Sequence, residues 1–380
     1  MTEPAAAPQD EARATAFWES VHAASPRAIV TLVLVALNIA VFGALLLKGA
    51  GAFRTSPELL LRFGANFAPS TQDGEPWRLL AYMFLHYGAV HLGFNLWALW
   101  DAGRIVERLY GSVAFLGLFL FAGVCGGLAS LWWNGPRAVS AGASAAVFGV
   151  YGALFGYVVL RRRAIPREVL GSIGASAAVF IAFSLFIGTV VTGIDNAAHL
   201  GGLAAGFVLG LALAPAPATG RRALAQSLAA PVLAAAVVGA TWAILPAPAY
   251  LQRDQAAAES AMRAFLDREA ETVRLARTVL DPLKRGELTP AVAADRLESE
   301  VVPKWDAAHK ALSAIKVSEA APAAPRLKLM LRYTAVRREM LTELAQGLRH
   351  DDATRLANAN RLAAESHKLL DDLQRTARKP

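Results

Sequence analysis

Seven blocks of about twenty apolar residues, separated by short polar connections, occupy the chain up to about position 245, and that repeat dictates the solvent in which it folds. A hydrocarbon core of roughly 30 Å is crossed by ~20 residues of α-helix. Lipid offers no partner for a free N–H or C=O, so each block must satisfy its backbone internally, as a helix does. Windows of about 19 residues place spans at 28–47, 89–106, 113–133, 143–160, 169–191, 196–214 and 224–245. With 55% hydrophobic and only 18% charged residues, the 380-residue chain is too apolar for an ordinary soluble domain. The expected fold class is therefore an all-α polytopic membrane protein. The second span is the least apolar, interrupted by His91, Asn95, Asp101 and Arg104, which must face protein or water.

Charge and cysteine usage narrow the partners. The formal net charge is +8, but the basic residues gather at the ends of spans, where the positive-inside rule accounts for them; nucleic acid is not an expected partner. The single cysteine, Cys125, excludes a disulfide within the chain and argues against a cysteine-based metal site. No metal and no cofactor are expected. Residues 1–27 carry Glu3, Asp10, Glu11 and Glu19 without an apolar core, unlike a secretory signal, and read as a cytoplasmic N-terminal segment. With the N-terminus inside, Arg13, Arg27, Arg104, Arg108, Arg161, Arg162, Arg163, Arg167, Arg221 and Arg222 lie on the cytoplasmic side. Lys48, Arg54, Arg62, Arg78 and Arg137 lie on the outer side. That imbalance favours this orientation and puts the tail outside. A bacterial plasma membrane is the expected location.

After a linker and seventh span at 215–249, residues 250–380 change character. Apolar residues fall at helical spacing in a charged background, as in Val301, Trp305, Ala308, Leu312 and Ile315. Thr289-Pro290 reads as an N-cap and first-turn pair, Ala320 to Pro325 as a linker, and Asp351-Asp352 as a helix start. A soluble bundle of three to five amphipathic helices is expected, as a docking or regulatory appendage.

Two short runs inside the apolar blocks carry chemistry: Gly142-Ala143-Ser144-Ala145, and Asn196-Ala197-Ala198-His199-Leu200-Gly201-Gly202. A polar ionisable group in a membrane span is a functional-site hypothesis by default. Spans two, four and six run in the same sense, and His91, Asn95, Ser144 and His199 all fall within a few residues of their outer ends. At 1.5 Å per residue they share one depth, within about two turns. Small residues spaced four apart let helices approach closely. Span four offers Gly149, Gly152 and Gly156; span six offers Ala198, Gly202, Gly206 and Gly210. Packing those stripes together carries His199 toward Ser144. A serine becomes a nucleophile when a neighbouring base takes its proton. Ser144 opens a helix, so its own N–H is free at the positive end of the dipole. His91 and Asn95, four apart on one face, can both donate to an oxyanion. Gly142 and Phe148 read as support for the pair. Asp195 sits where an N-cap belongs, and His86 reads as a packing residue at the outer boundary.

These residues resemble a known family. His86 to Asn95, Gly142-Ala143-Ser144 and Ala198 to Gly202, with Trp77-Arg78 and Glu107 to Gly111, are similar to the ordered motifs of the rhomboid intramembrane serine proteases, over roughly residues 28–214. The resemblance implies a six-helix rhomboid-like core with a seventh transmembrane helix added. It implies Ser144 as nucleophile, His199 as base without a third carboxylate, and His91 and Asn95 as oxyanion side chains. Trp77-Arg78 and Glu107 would be structural, and the substrates would be transmembrane segments of other proteins, met within membrane lipid. Two positions depart from the family pattern: Ala145 stands where glycine is usual, and Phe148 where tyrosine is frequent. A catalytically silent rhomboid-like binder of transmembrane helices, suggested by Ala145, and a small transporter using His91, Asn95 and His199 stay as alternatives.

Overall fold

The computed structural model describes residues 8–24, 27–191, 193–213 and 221–377; positions 1–7 of the N-terminal segment and 215–220 of the expected linker lie outside them. The chain is all-α and divides into two compact units, Met1–Pro248 and Ala249–Pro380.

The first unit begins with α1 (Pro8–Ala24) and α2 (Ile29–Leu47). The long connection that follows holds three short helices, α3 (Pro57–Arg62), α4 (Ala68–Thr71) and α5 (Arg78–Ala81). The long helices are α6 (Ala89–Tyr110), α7 (Ser112–Asn134), α8 (Ser144–Arg161), α9 (Arg167–Val190), α10 (Asn196–Leu213) and α11 (Arg221–Ala243). Helices therefore stand at all seven expected spans. Five of them, α2 and α7 to α10, are long and apolar enough by themselves to cross a membrane. Helix α6 is 22 residues long, about 33 Å at the helical rise, but its charged residues lower its hydropathy. The apolar part of α11 is the shorter stretch Pro231–Ala243. The large apolar side chains left exposed, among them Leu32 and Val33 on α2 and Phe183 and Phe186 on α9, fit a lipid solvent, which imposes no penalty on them.

Small residues set the packing. A methyl group on Gly206 would meet the Gly149 backbone, one on Gly202 the Ala145 carbonyl, and one on Gly152 the Leu203 carbonyl. Helices α8 and α10 thus touch backbone to backbone, along the stripe the spacing predicts. The polar ends are tied by hydrogen bonds. Glu107, fully buried near the end of α6, accepts from the N–H groups of Val30 (2.9 Å) and Thr31 (2.7 Å), from the Thr31 hydroxyl, and from Ser112. It closes the free N-terminus of α2 and the α6–α7 turn together. In the connection between α2 and α6, Arg78 donates to the carbonyls of Leu61 and Ala65 and pairs with Glu75 at 2.7 Å. Helix α11 and the residues after it place Val238 and Leu245 against Ala68, Leu79, Leu128 and Leu131, and Gln72 donates to the Pro246 carbonyl.

The second unit comprises α12 (Gln252–Lys284), α13 (Pro290–Arg296), α14 (Val302–Ser313), α15 (Ala324–His350) and α16 (Ala353–Ala377). A π turn at Leu297–Val301 joins α13 to α14, where Pro303 lacks the N–H that an α-helical bond needs. Thr289 caps α13 through Val292 N–H. Asp351 is left-handed (φ 50°) and ends α15, and Asp352 accepts from the N–H groups of Thr354 and Arg355 to open α16. Val301, Trp305 and Leu312 of the predicted stripe are buried together with Met330, Tyr333 and Leu341.

Candidate active site

Three helix N-termini and one loop meet at one end of the first unit. Ser144 is the first residue of α8, His199 the fourth of α10, and His91 the third of α6. The His199 Nε2 lies 2.8 Å from the Ser144 Oγ, hydrogen-bond distance for a base and its nucleophile. The imidazole is stacked on Phe148, one turn below Ser144, at 4.4 Å between centroids and 4° between planes. Both rings are buried. Phe148 therefore fixes the plane in which His199 presents Nε2.

His199 has no carboxylate behind it: its Nδ1 is buried without a hydrogen-bond partner. Asp195 instead accepts from the Ala198 N–H (3.0 Å) and from Asn134 (3.0 Å). That is the N-cap geometry expected of it, and it also ties α10 to the end of α7.

Gly142 is where the parts converge. Its φ of +140° is one that side-chain-bearing residues rarely adopt. A Cβ there would stand 2.7 Å from the His91 Cε1, 2.9 Å from its Nε2 and 3.7 Å from the Ser144 Oγ. The His91 ring therefore occupies the space a side chain would need. The loop is held from below, Gly142 N–H donating to the Tyr82 carbonyl. Beside it Ser140 pairs with Asn66 in a single antiparallel bridge, at 2.9 and 2.8 Å. Asn66 is buried and donates to the Gly127 carbonyl. Neither that bridge nor the Tyr82 contact has a local sequence signature, because each joins irregular segments far apart in the chain.

Asn95 stands one turn along α6 from His91. Its amide donates to the His91 carbonyl of its own helix at 2.9 Å. His86 is a packing residue, as its sequence position suggests. It is fully buried, and its ring packs edge-on against His91 at 5.1 Å. Ala145 is 1% exposed and sits where α7, α8 and α10 cross. A Cβ on Gly126 would come within 2.6 Å of its methyl carbon. Among the described residues no group of three or more His, Cys, Asp or Glu could hold a metal ion. The chemistry available is that of a neutral nucleophile, a base and several hydrogen-bond donors.

Residues 73–216 match the Rhomboid domain family. The chain is 42% identical over 200 residues to the rhomboid protease GluP of Bacillus subtilis, a match covering 52% of this chain and 38% of that protein. It is 30% identical over 191 residues to rhomboid-like protease 2 of Toxoplasma gondii, covering 50% of this chain and 66% of that one. With the rhomboid protease AarA of Providencia stuartii it shares 30% identity over 202 residues, 48% of this chain and 71% of that protein. The chain thus spans less than two thirds of the first two relatives.

Proposed function

Because the chain belongs to the rhomboid family, we propose that it is an intramembrane serine endopeptidase, cutting membrane-spanning segments of other proteins near their outer ends. The observation that carries this reading is the 2.8 Å contact between His199 Nε2 and Ser144 Oγ. In the proposed reaction His199 takes the Ser144 proton as Oγ attacks the scissile carbonyl. The tetrahedral oxyanion is met by the Ser144 N–H, which no helical carbonyl engages, by His91, and by Asn95 once its amide leaves the His91 carbonyl. His199 then returns the proton to the departing amine. A water molecule, deprotonated by the same imidazole, hydrolyses the acyl-enzyme and restores the serine. The oxyanion donors of such sites supply much of the rate, each worth on the order of 10²–10³ in kcat.

Substrates enter from membrane lipid. A helical segment hides its carbonyls in hydrogen bonds, so the substrate must unwind locally, which favours helix-breaking residues near the cut. In this reading the N-terminus is cytoplasmic and the site opens outward. Residues 250–380 form an extracytoplasmic domain, and the protein resides in a bacterial plasma membrane. The catalytically silent reading rests on Ala145, whose methyl lies in a helix crossing.

The test is cleavage of a single-span substrate in liposomes, with product masses locating the cut. The wild type is expected to cut in the outer half of the span, more readily when Pro or Gly is placed there. Substrate left intact, or cleavage indifferent to helix breakers, contradicts the proposal.

A further inference from the structure

His86 lies outside the proposed dyad and oxyanion donors, yet it is the most fully buried ionisable ring beside them. It is 0% exposed, and no side chain pairs with either ring nitrogen. Burying polar atoms that no side chain pairs is costly, and an apolar ring would fill the same space without that cost. The backbone that carries it does not explain it either. The turn is pinned on both sides, Thr55 N–H to the Tyr87 carbonyl (2.7 Å) and Ala89 N–H to the Ala52 carbonyl (2.7 Å), and the Tyr87 hydroxyl reaches the Val139 carbonyl.

What His86 does touch is His91, edge-on at 5.1 Å and 62°. Tyr87 lies on the same ring at 6.4 Å and 30°, and Gly142 lies at its Nε2 edge. An oxyanion donor works only when it is aimed before the charge forms. A neutral imidazole carries its one proton on whichever nitrogen its neighbours select. We propose that His86 is a positioning residue for His91. Its polar ring, set edge-on, fixes the rotation of the His91 imidazole and the nitrogen on which its proton sits. This inference rests on the reading of His91 as an oxyanion donor.

The experiment compares full-length wild type, His86→Phe, His86→Gln and His91→Ala, reconstituted in liposomes with one transmembrane substrate. Melting temperature, KM and kcat are read for each. His86→Phe is expected to melt with the wild type and keep its KM while kcat falls on the order of tenfold, less than the loss of a donor itself. His86→Gln, which restores a polar group, is expected to recover most of that loss. His86→Phe at wild-type kcat beside a crippled His91→Ala overturns the inference alone. So does a fall in kcat that Gln fails to rescue, or one that follows the melting temperature in both variants. His91→Ala at wild-type kcat overturns the assignment of His91, and the inference with it.

Discussion

Ala145 shows how one residue reads differently in a sequence and in a fold. Beside Ser144 in the chain, its methyl looks like an obstruction in the site. In space it fills a helix crossing where Gly126 and Gly202 leave room for it. Ala145→Gly is therefore expected to leave kcat within about twofold and to cost roughly 0.5–1 kcal/mol of stability, the usual penalty of glycine inside a helix; parallel activity and melting measurements check both. Phe148 acts more directly. Replacing it with leucine removes the stacking on His199, about 0.5–1.5 kcal/mol beyond burial, and kcat is expected to fall severalfold with KM unchanged. The pairing of Ser144 with His199 is legible in the sequence because a histidine is scarce inside apolar spans and its depth matches that of Ser144. The orientation of the Asn95 amide is not, since it depends on a side-chain rotation that residue spacing leaves open. Nor is the contact of His86 with His91, which needs the turn at Tyr87 and Gly88 to fold the chain back.

At the scale of the helix, glycines that look alike in sequence separate into those that pack and those that do not. Gly206 lies against the Gly149 backbone, whereas a methyl group on Gly117 of α7 would meet nothing within 4 Å. Gly206→Ala is expected to destabilise the α8–α10 pair by about 1–3 kcal/mol through overpacking. Gly117→Ala is expected to be neutral or slightly stabilising, by up to about 1 kcal/mol. Unfolding in mixed detergent micelles distinguishes the two. Glu107→Ala would strand the Val30 and Thr31 N–H groups, each unpaired buried donor costing about 1–3 kcal/mol, and should lower stability before it alters KM. The stripes on α8 and α10 are readable because period-four spacing of small residues has one main use in lipid. Helix α1 escapes such a reading, because its apolar residues form no clear stripe. The short helices of the connection between α2 and α6 carry local signals, such as Ser56 capping Leu59 ahead of Pro57, but each is too brief for a periodic pattern.

Across the whole molecule the two units have separate cores, and the change of composition near residue 250 marks their boundary in the sequence. Residues 249–380 expressed alone are expected to be soluble, helical and to melt cooperatively; a non-cooperative melt would contradict an independent core. In the first unit, α6 is recognisable as a span despite a composition poor for one, provided its polar residues face protein. Asn95 and Glu107 are buried there. The central claim is that Ser144 is a nucleophile activated by His199. It is tested most directly by treating the solubilised protein with a fluorophosphonate and mapping the adduct by peptide mass spectrometry. The account predicts a single adduct on Ser144 in the wild type, absent from both Ser144→Ala and His199→Ala. An adduct elsewhere, or one on Ser144 that persists at the same rate in His199→Ala, would contradict it.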